Sequence, residues 1–410
     1  MLRVKAFRAL RPPPNQAATV ASVPYDVCSR EEALAMAQGR PNSFLHVVRP
    51  DIDLPEGTDP YADDVYESAR QSLERLVAEG SLVRDEDDCV FVYRQQMLFE
   101  GTMLQQTGVV ACCHVDDYRN NVIKKHELTR KKKEDDRTRH VLTLNAHTGP
   151  VFILHREHAE LNRRVEAIAQ ETPLYDFTAA DDVRHTIWRV PNAADLIAQY
   201  QDLGEAYVAD GHHRSASASR AAEEKAASAA GRDIEANWFL SVLFPASQLH
   251  VLPYNRHVID LNGLSYDEFV QRLSLVADVQ VTKGPQRDSE PGAFGFYVGG
   301  LWHAATWRDP VSTEDPVASL DYVILYERVL APILGIGEVR TDPRVDFIGG
   351  IRGPGALSQR VDNVGGVAFL MPAVTVEQLM AVSDAGSIMP PKSTWFEPKL
   401  RSGLLVHTLD

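Results

Sequence analysis

Six consecutive residues, Asp210-Gly211-His212-His213-Arg214-Ser215, separate a short β-type run, Ala206–Ala209, from an alanine-rich helical stretch that reaches about Ala230. A strand turning directly into a helix leaves the first helical amides unpartnered, and the helix dipole favours negative charge at the same point. Gly211 permits the tight turn and a close approach of backbone to ligand. His212, His213, Arg214 and Ser215 add donors, and a guanidinium grips a phosphate through two parallel bonds. Asp210 at the strand end can hold Mg2+ or orient one histidine. The plainer reading is that Asp210 caps the helix and the histidines face water. Neither a Walker loop nor GxGxxG is present, so the chemistry on offer is anion binding of another design.

A second constellation spans 124–140, with eight basic and four acidic side chains, a local charge of +4. On a helix, His126, Arg130, Lys133, Arg137 and His140 fall within a stripe about 80° wide, with Glu127 and Glu134 on its flank. Cations for a phosphate next to a carboxylate base suit phosphoryl transfer, with Arg137, Arg139 or His140 neutralising charge. A solvated helix laced with pairs such as Arg130–Glu134 is the simpler alternative. His126-Glu127 begins like the zinc motif HExxH, but Arg130 stands where the second histidine belongs. Two further segments offer ligand contacts. The tail around Lys392, Ser393, Thr394, Trp395 and Lys399 can close over a substrate, and the glycine-rich turn 346–353, with Arg352, can form a nest of amides.

Other chemistry lacks support. Cys28, Cys89, Cys112 and Cys113 contain no CxxC, and the adjacent pair reads as small hydrophobes in a strand. No GxSxG is present. His155, His158, Trp188 and Trp238 read as core or surface residues.

Positioning such groups requires a sizeable scaffold. The chain has 410 residues, 44% hydrophobic and 24% charged, which is globular composition and predicts two domains. Forty-two basic against 57 acidic residues give a net charge of −15, which argues against nucleic-acid or membrane partners. No signal peptide or apolar run of about 18 residues is visible, so the expected location is the cytoplasm. Ser29 and Glu32 announce a capped helix, and a second helix starts near Thr58 and Pro60 and stops at Gly80. Residues 90–97 and 107–115 read as a hairpin. Strands are expected over 151–154, 186–190, 206–209, 239–244 and 251–254. Then follow a helix over 265–277, a hairpin over 294–307, a helix over 321–334, a strand over 367–371 and a helix over 374–382. The expected fold class is α+β: a mixed-sheet N-terminal domain over 1–255, a smaller α+β domain over 256–383, and a tail over 384–410 that docks back on the site.

The segments SVPYDVCSREEA, PNSFLHVVRP, KKHELTRKKKEDDRTRH, LYDFTAADDVRH, VADGHHRSASASR, GGIRG and IMPPKSTWFEPKLRSGL together resemble domain-of-unknown-function family 1015, over essentially the whole chain. More distantly, Asp210-Gly211-His212-His213-Arg214 resembles the phosphate-binding turn of the ParB/sulfiredoxin superfamily. In its free serine kinase branch that turn has the same spelling, and a His-Glu pair lies upstream as His126-Glu127 does here. The resemblance implies a ParB/sulfiredoxin-like phosphate-binding turn with a nucleotide phosphate at 210–215, and Glu127 as base on the acceptor hydroxyl.

Turn and resemblance together lead us to expect a phosphotransferase acting between a nucleotide, ATP or ADP with Mg2+, and a small hydroxylated metabolite. Free serine is the first candidate, which would place the protein in serine metabolism. Gly211, His213, Arg214 and Ser215 would hold the nucleotide, while Glu127, Asp210, His212 and His126 would carry the catalysis. A small-molecule phosphatase at the same site and a nucleotide-switched binding protein are the rivals. Nothing in the sequence fixes the oligomeric state.

Overall fold

In a computed structural model of the chain, which describes residues 1–227, 233–286, 290–309 and 314–410, the two β-type runs at 90–115 pair as a long hairpin. Among the described residues they belong to a sheet of nine strands. These are β1 (Val4–Lys5), β2 (Val90–Phe99), β3 (Thr102–His114), β4 (Ile123–Lys124), β5 (Val151–His155), β6 (Tyr175–Thr178), β7 (Arg184–Val190), β8 (Ala206–Asp210) and β9 (Trp238–Pro245). Their order is β4-β8-β5-β9-β3-β2-β7-β6, with β1 beside β3. β8 runs parallel to β4, and β9 to β5. The other pairs are antiparallel, so the sheet is mixed.

The described helices of eight or more residues in this region are α1 (Arg30–Ala37), α2 (Asp63–Ala78), α3 (Lys131–Leu144), α4 (Ala159–Ile168), α5 (Ala194–Gln201) and α6 (His212–Ala226). Strand alternation sends Val90, Val92, Val109 and Ala111 to one face, where they share a core with Leu161 and Val165 of α4, Leu196 of α5 and Ala218 of α6. Each such leucine or valine contributes roughly 1.5–3 kcal/mol by leaving water. The expected capping box opens α1: Ser29 accepts from the Glu32 amide at 3.2 Å while Glu32 accepts from the Ser29 amide at 2.8 Å. Residues 228–230 of the expected alanine-rich helix lie outside the described residues.

The long basic stripe is shorter than its spacing predicts. α3 begins only at Lys131, because Ile123–Lys124 are drawn into the sheet beside Ala206 and Tyr207. His126 and Glu127 therefore lie on the segment between a strand and a helix, not on the helix itself.

The described chain divides into two units, one formed by Met1–His250 with Pro398–Asp410 and the other by Val251–Glu397. The second unit begins slightly before the expected boundary, and 384–397 belongs to it rather than to a separate tail. Its sheet contains β10 (Tyr254–Val258), β11 (Ala277–Thr282), β12 (Ala293–Val298), β13 (Leu301–Trp307), β14 (Val345–Gly349) and β15 (Val367–Leu370), in the order β11-β13-β12-β15-β10-β14. The described helices of eight or more residues in this unit are α7 (Tyr266–Leu273), α8 (Gly353–Val364) and α9 (Val376–Asp384). Three expectations are corrected here. Pro253, lacking an amide hydrogen, interrupts the strand expected over 251–254. The helix expected over 265–277 ends at Leu273, and Ala277 opens a strand. The helix over 321–334 is α-helical only across Asp321–Leu325, then π-helical across Tyr326–Leu330.

The segment Pro398–Asp410 returns to the first unit and is built into it. Ser402 and Ser22 exchange backbone hydrogen bonds of 2.9 and 3.0 Å, and His407–Thr408 pairs with Ala146–His147. Leu400, Leu404 and Leu405 are buried. Among the described residues no helix is long and apolar enough to cross a membrane.

Candidate functional site

β8 ends at Asp210, Gly211 turns the chain at φ +99°, and α6 starts at His212. Only glycine takes this conformation without strain. A side chain here would also crowd Arg214, since a Cβ on Gly211 would lie 3.0 Å from its Nε. The amides of His212, His213 and Arg214 open the helix and point away from it. Ser215 departs from expectation: its amide donates to the Gly211 carbonyl at 2.9 Å and its hydroxyl does the same at 3.1 Å. Both its donors are therefore used inside the turn, and it offers nothing to a phosphate.

The Asp210 carboxylate faces two cations. Lys399 Nζ, from the returning segment, donates to it at 3.0 Å, and Arg214 Nη2 lies at 3.6 Å. Burial raises the carboxyl pKa, but Lys399 and Arg214 outweigh it and hold the group well below the usual carboxylate range. Arg214 also donates through Nη1 to the Pro150 carbonyl, while its buried Nε has no partner. The expected Mg2+ ligand role does not fit Asp210. Two adjacent cations repel a resident divalent ion, and among the described residues no three His, Cys, Asp or Glu side chains converge on a metal position.

Behind the turn, the rings of His126 and His212 meet edge to face, 4.4 Å apart at 86°. Both are buried. Burial drives the His126 pKa down to about 4 and that of His212 well below normal, so both are neutral at pH 7. Neither ring nitrogen of His126 makes a hydrogen bond of good geometry, although the nearby Val208 backbone favours its charged form. His212 Nε2 accepts weakly from the His126 amide at 3.5 Å, which leaves the hydrogen on Nδ1. That nitrogen lies 3.9 Å from Oε2 of Glu127, whose side chain is 39% exposed. His213 is held outward of this pair, its Nε2 accepting from the Arg130 amide at 3.1 Å.

The cationic candidates of α3 separate. Arg137 donates to Asp136 at 2.9 Å and stacks on Tyr25 at 4.3 Å. Together with Arg214, His147 and Ser402 it lines a cavity. His140 lines the same cavity but is neutral: burial and Arg137 lower its pKa to about 3, and its Nε2 bonds the Val47 carbonyl at 2.9 Å. It supplies no charge for a phosphoryl group. Arg139 is turned away, paired with Asp63 and stacked on Tyr66 at 4.2 Å. Tyr25 and His147 carried no chemical signal in the sequence. Tyr25 sits in the SVPYD segment without a spacing that marks it, and His147 shows only as a buried ring whose Nε2 lacks a partner.

Residues 4–323 match the model of a family described as "Protein of unknown function (DUF1015)". The chain belongs to that family. No curated protein matches the chain. Several solved structures do. A free serine kinase variant in complex with AMP matches at 14% identity and a TM-score of 0.35, over 73% of this chain and 92% of that one. SbnI from Staphylococcus aureus with a C-terminal truncation matches at 13% and 0.39, over 73% and 87%. A conserved hypothetical protein from Pyrococcus furiosus matches at 14% and 0.33, over 73% and 94%. Likeness this loose leaves activity to be argued from the site.

In this DUF1015 protein the remaining tail candidates belong to the second unit. Trp395 packs against the glycine turn, where a Cβ on Gly349 would touch its ring at 3.0 Å, and it meets Tyr254 edge-on at 5.2 Å. Lys392 reaches over the same tyrosine at 5.3 Å. Ser393 donates to the Pro390 carbonyl at 2.8 Å, Thr394 is half-buried, and Arg352 is exposed at the end of the turn. The Gly350 amide, expected in an anion nest, is already bonded to the Pro253 carbonyl at 2.7 Å. Of the tail candidates only Lys399 joins Asp210 in the first unit.

Proposed function

We propose that this protein is a phosphotransferase that moves a phosphoryl group between a nucleotide, ATP or ADP, and a small hydroxylated metabolite. One observation carries the reading: at the end of β8, Arg214 and Lys399 face Asp210 beside the opening amides of α6, in a chain whose net charge is −15. Free amides at a helix start, backed by two cations, suit the oxygens of a nucleotide phosphate.

In this reading the amides of His212, His213 and Arg214 hold the phosphates. Lys399 and Arg214 offset the charge that builds on the leaving oxygen, with Asp210 fixing both. Glu127 takes the proton of the acceptor hydroxyl as that oxygen attacks phosphorus and the bond to the leaving nucleotide breaks. The exposed side of Glu127 then releases the proton to water. His212 would orient Glu127 through Nδ1, and His126 would keep His212 neutral and in place. Arg137 lies beyond Arg214 as a further phosphate contact. Magnesium would enter with the nucleotide as part of the substrate. The resemblance of Asp210–Arg214 and His126-Glu127 to the free serine kinase branch supports serine as the first acceptor to try. Positioning and electrostatics account for nearly all catalysis in such reactions.

Thermal-shift titration with ATP, ADP and AMP tests the nucleotide half of the proposal. A ligand of the native state at about 100 times its Kd stabilises by roughly 2.7 kcal/mol. The expected result is a rise in melting temperature that Arg214→Ala abolishes. No rise with any nucleotide, in protein shown to be folded, overturns the reading.

A further inference from the structure

Three polar side chains stand in register across three neighbouring strands: Gln106 on β3, Gln95 on β2 and His185 on β7. All three are fully buried. Amides and an imidazole at the centre of a sheet cost free energy unless their hydrogen bonds are made, and an apolar residue at each position would avoid that cost. The returning segment supplies three of the partners, although the buried Gln106 Oε1 makes no hydrogen bond. Gln106 Nε2 donates to Gln95 Oε1 and to the Pro398 carbonyl, both at 2.9 Å. Gln95 Nε2 donates to the Lys399 carbonyl at 2.9 Å. Arg401 Nε donates to His185 Nε2 at 3.1 Å, and the other ring nitrogen of His185 bonds the Tyr93 hydroxyl at 2.8 Å. Positions 398, 399 and 401 are thus laid across β3, β2 and β7 in turn.

The two carbonyls held by the glutamines flank the Cα of Lys399. With both adjoining peptide planes held, the Cα–Cβ bond of Lys399 is aimed and the reach of its side chain is restricted, and its ammonium meets Asp210 at 3.0 Å. An unheld lysine loses considerable rotamer freedom in making such a contact. We propose that Gln95 and Gln106 are positioning residues for Lys399, a buried clamp that presents this cation at the Gly211 turn. What Lys399 does there rests on the phosphotransferase reading; the clamp itself does not.

Acylation of lysines with an N-hydroxysuccinimide ester, followed by mass spectrometry, reads the clamp without reference to activity. In Gln95→Met or Gln106→Met, Lys399 should be labelled about fivefold faster or more, the scale of one lost hydrogen bond. Lys124 and Lys225 should keep their wild-type rates, as loss of structure alone would not allow. Labelling of Lys399 at the wild-type rate in a folded variant overturns the proposal. If Gln106→Met does not fold, Gln95→Met decides, because it leaves the Gln106–Pro398 bond in place. The second readout is the nucleotide KM. It should rise about fivefold in either variant and be unchanged by either glutamine substitution in a Lys399→Met background, whereas additive losses overturn the clamp's role at the site. Faster labelling in a protein that binds no nucleotide would uphold the clamp and overturn the phosphotransferase reading instead.

Discussion

Lys399 and Asp210 lie 189 positions apart in the chain and 3.0 Å apart in the fold. The last segment of the protein therefore delivers a cation to the end of the strand that carries the glycine turn. Because Lys399 and Arg214 hold the Asp210 carboxyl below its ordinary range, their pairing stabilises the protein above the unfolded carboxyl pKa of about 4. That stabilisation is lost as pH falls through the lower folded value. Asp210 is 30% exposed, so the lysine's share is modest. Lys399→Met should cost about 1 kcal/mol at pH 7 and less at pH 3, as measured by urea unfolding.

Gly211→Ala should act twice. A left-handed conformation costs a non-glycine residue roughly 1–2 kcal/mol, and the new methyl, 3.0 Å from Arg214 Nε, displaces the guanidinium. Nucleotide affinity should fall tenfold or more on the scale of one charged hydrogen bond, about 1.5–3 kcal/mol. Calorimetric titration checks it.

Glu127→Gln separates chemistry from binding. A general base contributes typically 10²–10⁴ in rate, so kcat should drop by about that factor. The nucleotide Kd should stay within about twofold, because the amide keeps the side chain's size. A comparable loss of affinity would place Glu127 among the binding groups instead.

Arg139→Ala should leave the nucleotide KM unchanged, although the residue lies in the most basic stretch of the chain. Its partner is Asp63 on an exposed surface, and such pairs are worth about 0–1 kcal/mol.

His126 gives a pH dependence of opposite origin. An unfolded histidine takes a proton near pH 6.5, whereas buried His126 does so only near 4. Between those values the unfolded state binds more protons, so stability is complete above about pH 6.5 and declines as pH falls toward 4. The difference corresponds to roughly 3 kcal/mol. His126→Leu should flatten the unfolding free energy across that window by about this amount.

Much of this site is legible in the sequence because its cues are local. A β-type run ending in Asp210, a glycine and an alanine-rich helix define the turn within a dozen residues, and Ser29-x-x-Glu32 defines its helix within four. Some corrections are local, such as Ser215 bonding back to Gly211 and Pro253 breaking its strand, but the larger ones involve distant partners. The start of α3 depends on the pull of the sheet on Ile123–Lys124, and the orientation of Arg139 depends on Asp63 and Tyr66 of α2. The tail's buried leucines imply docking, but no local pattern pairs Lys399 with Asp210. Gln95 and Gln106 carry no local signal of a shared role; only the cross-strand register makes them adjacent.

The most direct test of phosphoryl transfer is phosphorus NMR of the protein with Mg2+, ATP or ADP, and serine followed by other small hydroxylated compounds. Transfer predicts a new phosphomonoester resonance that grows one for one with the nucleotide losing its terminal phosphate, and that Glu127→Gln suppresses. Unchanged nucleotide, or inorganic phosphate as the sole new species, would contradict it.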